Sequence, residues 1–181
     1  MASKLVVVFG SSRTQTPKHL EAAEALGQAL AEAGYAVGSG GYSAIMDAVS
    51  QGAYEAGGHV IAYPTDEFGD AVTRWHHEAR FTPNLHTRLE AMLSQGDAFI
   101  AMWGGIGTLT EVTLTWNIAQ VREMQGDPQK PLILLGDHWP ALIRYLDNHT
   151  EIGDRVLRYP KVVAAVDDAV AALNQTFTSN E

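Results

Sequence analysis

Short apolar runs alternate with glycine turns and amphipathic stretches along most of the chain. Lys4 to Phe9 is β-branched and apolar and is closed by Gly10, which predicts a strand buried on both faces. After the small polar turn Gly10-Ser11-Ser12-Arg13-Thr14, Leu20, Ala23, Leu26, Ala29 and Leu30 recur at helical spacing between Lys18 and Ala33. Pro17 suits the first turn of that helix and Gly34 its stop. The pattern then repeats. Tyr35 to Val37 predicts a second strand, Gly38-Ser39-Gly40-Gly41-Tyr42-Ser43 a second glycine turn, Ala44 to Ala56 a helix and His59 to Tyr63 a third strand. Pro64 to Leu85 is a long connection without clear periodicity, a length that suits a lid or binding loop; Asp70 lies within it. Thr87 to Gln95 predicts a helix and Asp97 to Met102 a buried strand. A third glycine turn and a helix from Thr108 to about Gln120 follow, with Val112 to Ala119 largely buried. Pro131 to Leu135 predicts a fifth strand, Trp139 to Leu146 a helix and Val162 to Val166 a short edge strand. Asp167 is expected to cap a last helix ending near Leu173, before a frayed polar tail from Asn174 to Glu181. Alternating strands and helices with right-handed crossovers imply an α/β fold, a doubly wound parallel sheet with helices on both faces. Residues 1–181 are expected to form a single domain.

Composition narrows the function. A formal net charge of −9 argues against a general nucleic-acid binder, which needs a basic face. It does not argue against a small anionic ligand, because a glycine turn supplies local positive potential. The absence of cysteine removes disulfides, thiolate zinc sites and thiol catalysis. Met1-Ala-Ser-Lys runs straight into strand-like sequence, and no apolar stretch is long enough to span a bilayer. A cytoplasmic location is the expectation.

The chemistry concentrates in Trp103-Gly104-Gly105-Ile106-Gly107-Thr108-Leu109-Thr110-Glu111. A strand, a glycine turn and a helix N-terminus present bare N–H groups to an anion. Thr108 followed by Glu111 has the spacing of a capping box. The alternative for Glu111 is a carboxylate held beside a phosphorylated ligand, and spacing does not choose between the two. Arg88 sits in the first turn of its helix, unfavourably for the dipole; it reads as an exposed surface cation, with a pocket-directed arginine as the other reading. His76, His77 and His86 have no metal-ligand spacing and read as partly solvated loop residues. No Gly-x-Gly-x-x-Gly is present, so a dinucleotide cofactor is not supported. Lys4, Lys18, Lys130 and Lys161 lie outside the glycine turns, which argues against a pyridoxal Schiff base.

Several separated motifs resemble the LONELY GUY (LOG) family. They are Gly10-Ser11-Ser12, Gly40-Gly41-x-x-x-Ile45-Met46, Gly52-Ala53, Gly57-Gly58, Arg88 and Gly104-Gly105-Ile106-Gly107-Thr108-Leu109-Thr110-Glu111. The resemblance implies a Rossmann-like fold, a homodimer and a phosphoribohydrolase. Such an enzyme cuts the N-glycosidic bond of a purine riboside 5′-monophosphate, of cytokinin type or AMP, without a cofactor or metal. By the same resemblance Glu111 and Arg88 are the catalytic pair. Gly104, Gly105, Gly107 and Thr108 form the phosphate loop, and Gly10, Ser11, Gly40, Gly41 and Met46 line the nucleotide pocket. A non-catalytic nucleotide binder or sensor of the same fold is the alternative. Three positions depart from the family pattern: Trp103 replaces a proline, Leu89 a lysine and Ala44 a glycine. Trp103 is expected either to narrow the pocket or stack on a base, or to pack in the core. The missing lysine is expected to remove a positive group near the site.

Overall fold

The structure, a computed structural model, describes residues 3–69 and 72–178, so Asp70 and the last three residues lie outside the described residues. Seven described strands form one parallel sheet: β1 (Leu5–Phe9), β2 (Ala36–Ser39), β3 (Val60–Ala62), β4 (Glu78–Ala79), β5 (Ala98–Ala101), β6 (Leu132–Leu135) and β7 (Pro160–Val163). Their order is β4-β3-β2-β1-β5-β6-β7. The chain steps outward from β1 to β4 and then returns to lay β5 against the free side of β1, with Val6 opposite both Val37 and Ala98. That reversal is the topological switch point, and the crevice at the carboxyl ends of β1 and β5 is where open α/β sheets bind ligands.

Strand side chains alternate between the two faces, so each apolar run feeds two cores. Val6, Val8, Val37, Ile100 and Ile133 meet α1 (Pro17–Glu32), α2 (Ile45–Glu55) and α7 (Val166–Thr178). Leu5, Val7, Phe9, Phe99 and Leu134 meet α3 (Leu85–Gln95), α4 (Ile106–Gln125) and α5 (Trp139–His149) on the other face. Helices α1 and α2 pack backbone to backbone. A Cβ on Gly27 would collide with the Val49 carbonyl, and one on Gly52 with the Glu24 carbonyl.

Several boundaries differ from expectation, each for a local reason. The long connection holds a 3-10 turn (Asp66–Phe68) and the two-residue β4, both too short to leave a periodic signal. A four-residue helix, α6 (Asp154–Leu157), escapes for the same reason. The last strand starts at Pro160 rather than Val162; it is an edge, where a missing N–H costs no ladder bond. Asp167 is inside α7 rather than capping it, and α7 continues past Leu173 to Thr178, tied by the Tyr35 hydroxyl donating to Asn174 Oδ1 at 2.6 Å. Helix α4 runs 20 residues, five beyond the predicted end, and only one side of its 112–119 segment is buried: Thr113 and Asn117 face solvent.

Ala44, immediately before α2, has φ 56° and ψ −119°. It is the one non-glycine residue among those described with positive φ, at the position where the resembled family carries glycine. A Cβ there costs on the order of 1–3 kcal/mol, partly offset by the lower entropy of the unfolded chain. Ala44→Gly is therefore expected to stabilise the protein by about 1 kcal/mol, raising Tm by roughly 2–4 °C in a thermal melt. An unchanged or lower Tm would show that the backbone relaxes around the alanine.

Candidate active site

A cavity of about 660 Å³ opens at the switch point, within the size range of small-ligand sites. Its walls come from the first turn (Gly10, Ser11, Ser12, Arg13), the second (Tyr42, Ser43), the first turn of α2 (Met46), the long connection (Phe68), α3 (Arg88) and the start of α4 (Gly105, Ile106, Gly107, Thr108, Glu111). Ser11 holds these turns in register. Its N–H donates to the Trp103 carbonyl at 2.9 Å, and its own carbonyl accepts from Ile45 N at 3.0 Å. Its hydroxyl accepts from the N–H groups of Arg13 and Thr14.

The capping box does not form. Gly105 is the N-cap of α4, no side chain caps it, and Thr108 is the third helical residue. The helix starts early because Gly104 leaves room: a Cβ on it would collide with the Thr108 side chain. Thr108 and Glu111 thus sit three apart on one buried helical face, both lining the cavity. The first N–H groups of α4 lack intrahelical partners by construction and stand at the positive end of a long helix dipole. This is a seat for an anion.

Arg88 is buried, at 5% exposure, so the surface reading is overturned. Asn84 caps α3, its side chain accepting from Thr87 N at 3.0 Å, and the helix carries Arg88 inward. The guanidinium finds a partner set that local sequence does not reveal. Nε donates to the Tyr63 carbonyl at 2.7 Å, and the rings of Tyr42 and Phe68 each lie 5.9 Å from Cζ. Nη1 stands 3.7 Å from Glu111 Oε1, close enough for strong attraction but beyond hydrogen-bond length. Glu111 is 7% exposed. Burial pushes its carboxyl up to about 7, against the opposing pull of Arg88. The site therefore holds a carboxyl that changes charge near neutrality beside a fixed cation.

Of the residues singled out in the sequence, Gly10, Ser11, Met46, Arg88, Gly105, Gly107, Thr108 and Glu111 line the cavity. Gly40, Gly41 and Gly104 do not line it. A Cβ on Gly40 would strike Arg88 Nη2 and the Met46 sulfur, so this glycine makes room for the arginine. Gly41 turns at φ 78° against Ala62. Sequence reasoning missed Ser12, Arg13, Tyr42, Ser43, Phe68 and Ile106. Arg13, a lone cation inside a glycine turn, was a signal that could have been used.

Trp103 neither lines the cavity nor joins the core. It is 42% exposed, stacked on His19 at 4.8 Å and edge-on to His138 at 4.4 Å. Leu89 does not face the cavity either. It lines a second groove of about 550 Å³ between α3 and α4, with Leu93, Leu114 and Ile118, so the exchange of lysine for leucine alters the groove and not the site. The loop histidines are engaged elsewhere: His76 Nδ1 lies 2.6 Å from the Thr73 carbonyl, His77 Nδ1 accepts from Val60 N at 3.2 Å, and His86 lines the groove. Among the described residues no group of three or more His, Asp or Glu is placed to hold a metal ion. No helix among them is long and apolar enough to cross a membrane.

Residues 46–176 match the family model described as "Possible lysine decarboxylase". Cytokinin riboside 5′-monophosphate phosphoribohydrolase LOG7 of Arabidopsis thaliana is 32% identical over 161 residues, covering 83% of this chain and 70% of its own. A cytokinin riboside 5′-monophosphate phosphoribohydrolase of Rhodococcoides fascians is 30% identical over 154 residues, covering 80% of this chain and 75% of its own. Among solved structures, the molybdenum cofactor binding protein of Rippkaea orientalis superposes with TM-score 0.81 at 24% identity, over 98% of this chain and 99% of that one. The molybdenum cofactor carrier protein of Chlamydomonas reinhardtii superposes with TM-score 0.77 at 23% identity, over 97% of this chain and 99% of that one. At those identities the two structures establish a shared fold. The sequence matches extend over most of the chain, and on them it belongs to the LOG family, a Rossmann-like α/β family.

Proposed function

We propose that the protein is a nucleoside 5′-monophosphate phosphoribohydrolase that cleaves a purine ribotide, AMP or its cytokinin-type derivative, to free base and ribose 5-phosphate. The observation that carries this reading is the buried Arg88–Glu111 pair on the wall of a cavity that also contains the N-terminus of α4. The turn 104–108 receives the 5′-phosphate through backbone N–H groups. This fixes the ribose, so that binding energy from a remote group orients the reacting carbon.

Cleavage of the N-glycosidic bond passes through an oxocarbenium-like state. The Glu111 carboxylate faces that developing positive charge or takes a proton from the attacking water. The hydroxyl of water bonds to the anomeric carbon, the C–N electron pair leaves with the base, and the remaining proton ends on the base. Arg88, always charged, keeps a share of Glu111 ionised and offers planar donors to ribose hydroxyls or phosphate. No lysine lines the cavity, so nothing in it is suited to a Schiff base. The same reading includes a homodimer. The apolar α3–α4 groove, continued by the exposed Val121, is the surface a second copy covers.

The deciding experiment is chromatography of AMP and N6-isopentenyl-AMP after incubation with wild type and Glu111→Gln. Wild type is expected to release free base. The variant, isosteric but uncharged, is expected to bind nucleotide and lose on the order of 10²–10³-fold or more in turnover. Nucleotide left intact by both would replace the hydrolase with a nucleotide binder.

The working form of Glu111 is ionised, and its raised pKa places ionisation at about 7. kcat/KM is therefore expected to fall with decreasing pH below about 7, tenfold per unit at the limit, and to level off above it. A profile flat from pH 5 to 8 would remove Glu111 from the mechanism. For the dimer, Ile118→Glu puts a charge into the groove and is expected to halve the mass seen by light scattering. A wild type already monomeric at tens of micromolar would sink the dimer.

A further inference from the structure

Phe68 is the large aromatic side chain of the cavity wall that has least to do with the core. It is 54% exposed, yet its backbone is held firmly. Tyr42 OH donates to the Thr65 carbonyl at 2.9 Å and accepts from Thr65 N at 2.8 Å. Asp66 N donates to the Thr82 carbonyl at 3.1 Å, and the Glu67 carboxylate accepts from Leu85 N, the first residue of α3, at 2.8 Å. The turn that carries Phe68 is thereby fastened to the same helix that carries Arg88. One side of the ring meets Tyr42 edge to face, with centroids 5.7 Å apart, and leaves more than half of the side chain open. The part of that fixed ring that stays exposed gains nothing for the fold. A planar ligand would repay that exposure.

We propose that Phe68 is the specificity-determining base platform of this site, stacking on the purine of the nucleotide. The inference rests on the nucleotide reading above. Phe68 lies 5.9 Å from the Arg88 guanidinium, and Arg88 lies 3.7 Å from Glu111. The ring and the carboxylate thus both neighbour one arginine in one cavity, an arrangement that suits a base on the ring and its sugar carbon at the carboxylate. The anion seat at the start of α4 takes the other end of the molecule. Stacking reads a π-face and makes no hydrogen bond to the base edge, so it requires an aromatic base while tolerating substituents on its exocyclic nitrogen.

The test is calorimetric titration of AMP and of ribose 5-phosphate, which has no base, into Glu111→Gln and into the same protein carrying Phe68→Ala or Phe68→Tyr. Phe68→Ala is expected to weaken AMP at least about tenfold, Phe68→Tyr to restore it, and ribose 5-phosphate to change by less than about twofold. Equal AMP affinity in all three proteins overturns the platform. So does a parallel loss of AMP and ribose 5-phosphate, which would make Phe68 a prop for Arg88. If Glu111→Gln and wild type bind neither ligand, the nucleotide reading fails and the platform falls with it, an outcome separate from the other two.

Discussion

A guanidinium taken out of water must be given back what water supplied, or the charge destabilises the fold by several kcal/mol. Much of the architecture around the cavity answers that demand at Arg88. The end of β3 supplies the Tyr63 carbonyl, α4 supplies the Glu111 carboxylate, and the second turn and long connection supply aromatic faces. Gly40 gives up a side chain so that the guanidinium has space. Four chain segments thus converge on the cation carried by α3. The pairing with Glu111 stays long, at 3.7 Å, which leaves the carboxylate free of a committed hydrogen bond from Arg88. A tight fork would have engaged the carboxylate directly; a distant cation would have left the upward push of burial on its pKa unopposed.

The fold was legible because its information is periodic. Apolar strands followed by glycine turns and amphipathic helices recur along the chain, and right-handed crossovers make the sheet parallel and doubly wound, though they do not set the strand order. The two-residue β4 has no apolar run and the single-turn helix α6 no helical period, and neither was legible. Thr108 and Glu111 show a different failure. Their spacing fits a capping box, but Gly104 and Gly105 let α4 begin two residues earlier, and a spacing of three serves a helix face equally well. Arg88 shows a third. Its burial depends on partners spread from residue 42 to residue 111, and no window around residue 88 contains them. For these two residues family resemblance indicated what local rules did not, and it remained silent about Phe68 and Arg13.

Helices α3 and α4 each serve two surfaces. Arg88 and its neighbour Leu89 leave α3 in different directions, one lining the cavity and the other the apolar groove. On α4, Glu111 faces the cavity while Leu114 and Ile118 face the groove. Whatever packs into the groove therefore touches the two helices that carry the charged pair.

The bonds at Ser11 bear on the order of events during folding. Its amide reaches the end of β5 and its carbonyl the start of α2, segments far apart in the chain. Such contacts form only after long loops have closed, and loop closure must be met before its reward arrives. The sheet and its helices are held by their own apolar faces, whereas this junction exists only once β1, α2 and β5 are all in place. The binding crevice therefore has its shape only when β1, α2 and β5 are all assembled, which makes it a property of the completed sheet and not of any one strand–helix unit.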